Sequence, residues 1–206
     1  FFKSNYYIVV ADPLRVGNEL SYFQGNVNLR MADMVIINKC NTAEKEDIEL
    51  VEKNIRKVND HAVIIRADSK ITVDKPEELK DKYVIVVEDG PTLTHGNMKF
   101  GAGWMALLKY SMHRYAIYPQ EYAVGDIKKM YEKYPYVTRV LPAMGYNAEQ
   151  IKDLEETINN SEADVVLSAT PIDLSKVINI NKPIVRVSYK LEPTDEFYDI
   201  INKLVR

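Results

Sequence analysis

Short apolar runs alternate with amphipathic stretches along the whole chain. Residues 6–11, 34–38, 62–66 and 83–88 are nearly continuous in Val, Ile and other strand formers, and 114–118, 137–141, 164–168 and 184–188 read the same way. A strand buried on both faces loses the in/out alternation of a half-exposed sheet, so these runs predict a mainly parallel sheet covered on both sides. Helical periodicity fills the gaps. Residues 43–58 place Ile48, Val51, Ile55 and Val58 on one face, and their acidic opening "EKED" complements the positive end of the helix dipole. Further helices are expected over 103–112, 124–134, 147–160 and 194–205, with Asn147 and Thr194 as N-caps. Strand and helix in such alternation predict an α/β fold with a doubly wound sheet. The polar, Pro-bearing stretch 71–82 marks a boundary and divides the chain into 1–70 and 71–206.

Composition narrows the functional classes. A chain of 206 residues, 46% of them hydrophobic, can bury a sizeable core in one domain or two small ones. The net charge is −3 and like charges never run in long blocks, so an extended basic footprint for nucleic acid or anionic lipid is absent. Cys40 is the single cysteine, which excludes an internal disulfide and a cysteine-built zinc site. His61, His95 and His113 are scattered, which speaks against a structural metal centre. No apolar run approaches the roughly 20 residues of a membrane span. No signal peptide is visible, so the expected location is the cytoplasm, without a membrane partner. The chain opens "FFKSNYYIVVADP", with no initiator Met and a strand almost at once, and reads as a cut through a larger protein.

In open α/β sheets ligands sit beyond the carboxyl ends of the strands, so those loops carry the candidate chemistry. After 34–38 comes "NKCNTA". Guanine-binding loops read Asn-Lys-x-Asp: the Asn meets the purine edge, the Lys stem packs along the base, and the carboxylate accepts two guanine N–H groups. Asn38 and Lys39 fit, but Asn41 is an amide and cannot offer the paired acceptors, so the choice between ATP and GTP stays open. Asn-Lys after a strand is also ordinary turn chemistry. The next strand ends "RADS", which puts Asp68 and Ser69 where a second base-contacting loop lies. The loop 88–103 is denser. Glu88 and Asp89 can hold a metal or orient a hydroxyl, Thr92 and Thr94 offer hydroxyls, and His95 a titratable nitrogen. Gly96, Gly101 and Gly103 allow close approach of a ligand to a helix start with free N–H groups, an arrangement suited to a phosphate. The same glycines could equally make turns in a surface loop. After the first strand, Arg15 and Arg30 can bind phosphate bidentately or serve as surface ion-pair partners.

The segments "VVADPLRVGNELSYFQGNVNLRMADMVIINK", "VVEDGPTLTHGNMKFGAGW", "YAVGDIKKMYEKYP", "VLPAMGYNAEQIKDLEETINN" and "TPIDL" together resemble the cyclic 2,3-diphosphoglycerate synthetase family and the GTPases grouped with it. The resemblance covers nearly the whole chain. It implies a P-loop NTPase-like fold, Mg2+ with ATP or GTP as cofactor, and a nucleotide and a phosphoglycerate as small-molecule partners of a protein that could be a homodimer. The phosphate-binding Gly-x-Gly-Lys-[Ser/Thr] segment of that family is not in this chain. The expectation is therefore a fragment lacking its N-terminal phosphate-loop part, with base-recognition strands in 1–70 and a substrate loop in 71–206. Asn38, Lys39, Asn41 and Ser69 would line the base pocket. Thr92, Thr94, Gly96, Gly101 and Gly103 would cradle phosphate, Glu88 or Asp89 would hold Mg2+, and Asp89, His95 and Arg15 would take catalytic roles. The alternative is a GTPase-type regulatory or scaffold protein without synthetase activity.

Overall fold

A computed structural model describes residues 4–94, 98–110, 115–145 and 147–204. In chain order the elements are β1 (Ile8–Ala11), α1 (Asn18–Ser21), α2 (Phe23–Met31), β2 (Met34–Ile37), α3 (Lys45–Val58), β3 (Val63–Arg66) and β4 (Asp68–Val73). They continue with β5 (Val84–Asp89), α4 (Gly90–Thr94), α5 (Ala102–Lys109), α6 (Gly125–Lys133), β6 (Leu141–Ala143), α7 (Ala148–Asn160), β7 (Val165–Ala169), β8 (Ile184–Glu192) and α8 (Asp195–Leu204). The chain divides into two units, Phe1–Lys70 with Lys190–Arg206, and Ile71–Tyr189.

The first unit carries a parallel sheet in the order β1-β2-β3. All four residues of β2 are buried because each face has its own cover. Val35 and Ile37 pack with Leu29 of α2 and with Ile48, Val51 and Ile55, the apolar stripe of α3. Met34 and Ile36 face the other way, where Phe197 and Ile200 of α8 join Ile65 and Ala67. The doubly covered strand is what an uninterrupted "MVII" demands. Asn59 locks this packing: its buried amide donates to the carbonyls of Leu29 and Ala32 at 2.8 Å each, and accepts the Ala62 N–H at 2.9 Å.

In the second unit the sheet runs β4-β8-β7-β5-β6, and β8, β7, β5 and β6 are parallel neighbours. Val84–Val87 of β5 and Val165–Leu167 of β7 are fully enclosed between Trp104, Ala106 and Leu107 of α5 and residues from α6 and α7, among them Ile127, Leu154 and Ile158. An α/β fold with parallel strands is thus present, as the apolar runs predict.

Several expected elements differ. The stretch after β1, expected as loop, forms α1 and α2; α2 was hidden because "FQGNVNLRM" buries only Leu29 and shows almost no apolar face. The run 137–141 becomes strand only from Leu141, and its apolar residues Val137 and Val140 are buried in irregular backbone. Within 114–118, described from residue 115 onward, pairing is limited to a single bridge between Ala116 and Val84. Residues 68–73 form an unexpected strand. The loop 88–103 contains a short helix, α4, which Gly90 and Pro91 open. The Asn147 cap is present, with its side chain accepting the Gln150 N–H at 2.9 Å.

Candidate functional site

Polar clusters gather at strand carboxyl ends in both units. In the first, Asp12 follows β1. Its Oδ1 accepts the Leu14 N–H at 3.1 Å and starts the short helical turn Pro13–Arg15. Its Oδ2 accepts Lys39 Nζ at 2.6 Å and the Arg15 guanidinium at 3.2 Å. Two cations on one carboxylate leave this corner with a surplus of positive charge. Lys39 reaches Asp12 from a left-handed backbone, φ +64°, a conformation that a non-glycine residue keeps only where its surroundings impose it.

Asn38 stands between β2 and Lys39. Its Oδ1 is shut off from solvent and accepts no hydrogen bond among the described residues. Such an orphan acceptor costs about 1–3 kcal/mol, which a donor on a ligand would recover. Asn41 is already engaged: its Nδ2 donates to the Ser69 carbonyl at 3.1 Å and its Oδ1 accepts the Ser69 N–H at 3.0 Å. The Cys40 N–H donates to Ala67 O at 3.1 Å, so 40–41 is tied along the start of β4 like one more strand rung. Burial pushes the Cys40 thiol above its ordinary pKa, which keeps it protonated and unreactive.

The second unit places the 88–103 residues differently from one another. Asp89 Oδ2 accepts both the Thr92 N–H at 3.2 Å and the Thr92 hydroxyl at 2.7 Å, which caps the first turn of α4. The Thr94 hydroxyl donates to Gly90 O at 3.0 Å. Glu88 points inward and is 3% exposed. Its Oε1 accepts the backbone N–H groups of Gly101 at 3.0 Å and Trp104 at 2.9 Å. The positive end of α5, the position suited to a phosphate, is therefore filled by the chain's own carboxylate. A Cβ on Gly101 would collide with that carboxylate, and one on Gly103 would lie 2.7 Å from Val86 Cγ1 and 3.0 Å from Ala169 Cβ. Gly101 is required by the close wrap around Glu88, and Gly103 by the close approach of α5 to β5 and β7. Burial, partly offset by these N–H groups, raises the Glu88 pKa to about 7. His95 and Gly96 lie outside the described residues.

Beside α4 opens a cleft of about 330 Å³ lined by Gly90, Thr94, Asp126, Lys129, Lys133 and Tyr134, with Met130, Ala143, Met144 and Gln150. Apart from Thr94, none of these side chains stands out in the sequence. Asp126, Lys129 and Lys133 follow helical spacing on α6, and a charged stripe of that kind ordinarily reads as a solvated helix face. Among the described residues, no group of three His, Cys, Asp or Glu side chains could hold a metal ion, and no helix is long and apolar enough to cross a membrane.

No family model matches the chain. Over 192 residues, 93% of its length, the chain is 54% identical to the protein named arginine synthetase ArcE of Thermococcus kodakarensis. It spans 43% of that relative's length. This finding overturns the expected membership of the cyclic 2,3-diphosphoglycerate synthetase family, and with it the GTPase and phosphoglycerate-cyclising expectations. The "EDGPTLTHG" carboxylates serve α4 and α5, and the amide of Asn41, which stands in the guanine-selecting position, is bound to Ser69.

Proposed function

We propose that the chain is part of an ATP-dependent synthetase whose product is arginine. The single observation that carries this reading is the 54% identity over 192 residues to a protein of that name. Identity of this extent leaves little room for a different set of cores and strand-end loops.

The nucleotide would sit at the carboxyl ends of β1 and β2. Asn38 Oδ1 is a buried acceptor without a donor, and the exocyclic amine of adenine is a donor of matching chemistry. Lys39 and Arg15 supply positive charge beside it, held in place by Asp12. Asn41 and Ser69 brace the loop from behind. A P-loop-type nucleotide fold goes with this proposal, supported by parallel strands whose base-side loops follow β2 and β3. Mg2+ would enter with ATP, ligated by its phosphate oxygens with water in most of the remaining octahedral positions.

Isotope exchange tests the reading from the product side, so the other substrate need not be supplied. The chain, and the Thermococcus relative in parallel, are incubated with arginine, Mg2+, and ADP with labelled phosphate or AMP with labelled pyrophosphate. Label entering ATP only when arginine is present is the expected result. Exchange in the relative and none in this chain would assign the chemistry to parts of the relative beyond the matched region. Exchange that ignores arginine would overturn the proposal.

A further inference from the structure

The cleft of about 330 Å³ in the second unit has the size of a small-molecule site and lies where open parallel sheets take ligands, past the ends of β5 and β6. Gly90 lets it form. A Cβ there would lie 2.5 Å from the Ala143 carbonyl oxygen, so the two strand ends meet backbone to backbone and leave a floor without a side chain. One wall is α6. Asp126 Oδ1 and Lys129 Nζ stand 2.9 Å apart, and Gln150 Nε2 donates to Asp126 Oδ2 at 3.4 Å. The Asp126 N–H donates to Asp153 Oδ2 at 2.7 Å, which anchors the first turn of the helix. One turn beyond Lys129, the Lys133 ammonium lies 5.2 Å from the Tyr134 ring centroid, with no carboxylate within ion-pair distance among the described residues. Met130, Tyr134 and Met144 supply the apolar surface.

A ligand for this wall needs both signs of charge close together and a stem that tolerates apolar contact. A phosphate would face the Asp126 carboxylate, and a diamine would face two ammonium groups. We infer that the cleft binds a free α-amino acid, with Asp126 taking the α-ammonium, Lys129 and Lys133 the α-carboxylate, and Met130, Tyr134 and Met144 the side-chain stem. Lys129 holds Asp126 below the usual carboxylate range, so the acidic partner is charged at neutral pH. That the amino acid is arginine rests on the proposed function; that the cleft takes an α-amino acid does not.

The test is calorimetric titration of the full 206-residue chain with L-arginine, L-ornithine and agmatine, repeated on Asp126→Asn and Lys133→Met. L-Arginine should bind saturably. Agmatine, which lacks the carboxylate, should bind at least about tenfold more weakly, and each substitution should weaken L-arginine by about tenfold, the scale of one charge-assisted contact. Circular dichroism checks that both variants fold, and both positions are at the surface. If L-ornithine binds and depends on Asp126 and Lys133 while L-arginine does not bind, the cleft inference holds and the arginine-forming reading fails. If neither amino acid binds, or if binding is unchanged by both substitutions, the inference is overturned.

Discussion

Glu88 Oε1 accepts the backbone N–H of Trp104 at 2.9 Å, joining the carboxyl end of β5 to the first turn of α5. The contact puts a carboxylate, 3% exposed, where the helix has its positive end. It makes the glycines around it structural, and it makes the stability of the second unit depend on proton concentration.

The pH dependence has a definite sign. Burial raises the folded-state pKa of Glu88 from 4.5 to about 7. The folded state then holds a proton that the unfolded chain releases, so stability falls as pH rises between those values and levels off above about 7. The full span is on the order of 3 kcal/mol. Thermal unfolding of wild type and Glu88→Gln from pH 5 to 8 should show wild type losing stability relative to the variant as pH rises. Parallel curves would mean that the carboxylate is not sequestered.

Gly101→Ala should destabilise the chain, because its Cβ collides with the Glu88 carboxylate, which is buried and tied to the backbone N–H groups of Gly101 and Trp104. Overpacking of this kind costs about 1–3 kcal/mol. At about 2–4 °C per kcal/mol for a chain of this size, differential scanning calorimetry should register a drop of several degrees. An unchanged Tm would show that the loop 98–103 does not wrap Glu88.

Much of the architecture was legible in the sequence, and the failures have physical causes. "MVII" announced a doubly covered strand because every residue of β2 meets a core. The stripe Ile48, Val51, Ile55 announced α3. By contrast α2 carries Gly25, Asn26 and Asn28 and buries one residue, so neither propensity nor periodicity revealed it. At the candidate site, the sequence pattern cannot distinguish glycines that wrap a ligand from glycines that wrap the chain's own Glu88. Two glycines following a strand-end acid by about a dozen residues were the available signal. The cleft was invisible because Asp126, Lys129 and Lys133 look like any solvated face until α4 and β6 are folded beside them.

Asn59→Ala should cost about 3 kcal/mol, since it strips hydrogen bonds from the buried carbonyls of Leu29 and Ala32 and from the Ala62 N–H. Chemical denaturation should show a lower midpoint with the slope retained. Loss confined to a few tenths of a kcal/mol would mean that water replaces the amide.

Asn38→Leu separates stability from binding. Removing an orphan buried acceptor should leave stability unchanged or slightly raised, while ATP affinity falls about tenfold through the lost contact to the base. Fluorescence titration with a labelled ATP analogue, paired with thermal unfolding, reads both. A fall in stability with unchanged affinity would place the base elsewhere.

Where the nucleotide sits is read most directly by photolabelling the chain with 8-azido-ATP in the presence of Mg2+ and mapping the modified peptide. Label is expected within the segment around Asn38 and Lys39, and unmodified ATP should compete it away. Competed label confined to peptides of Ile71–Tyr189, or no label that ATP displaces, would contradict a nucleotide site at the ends of β1 and β2.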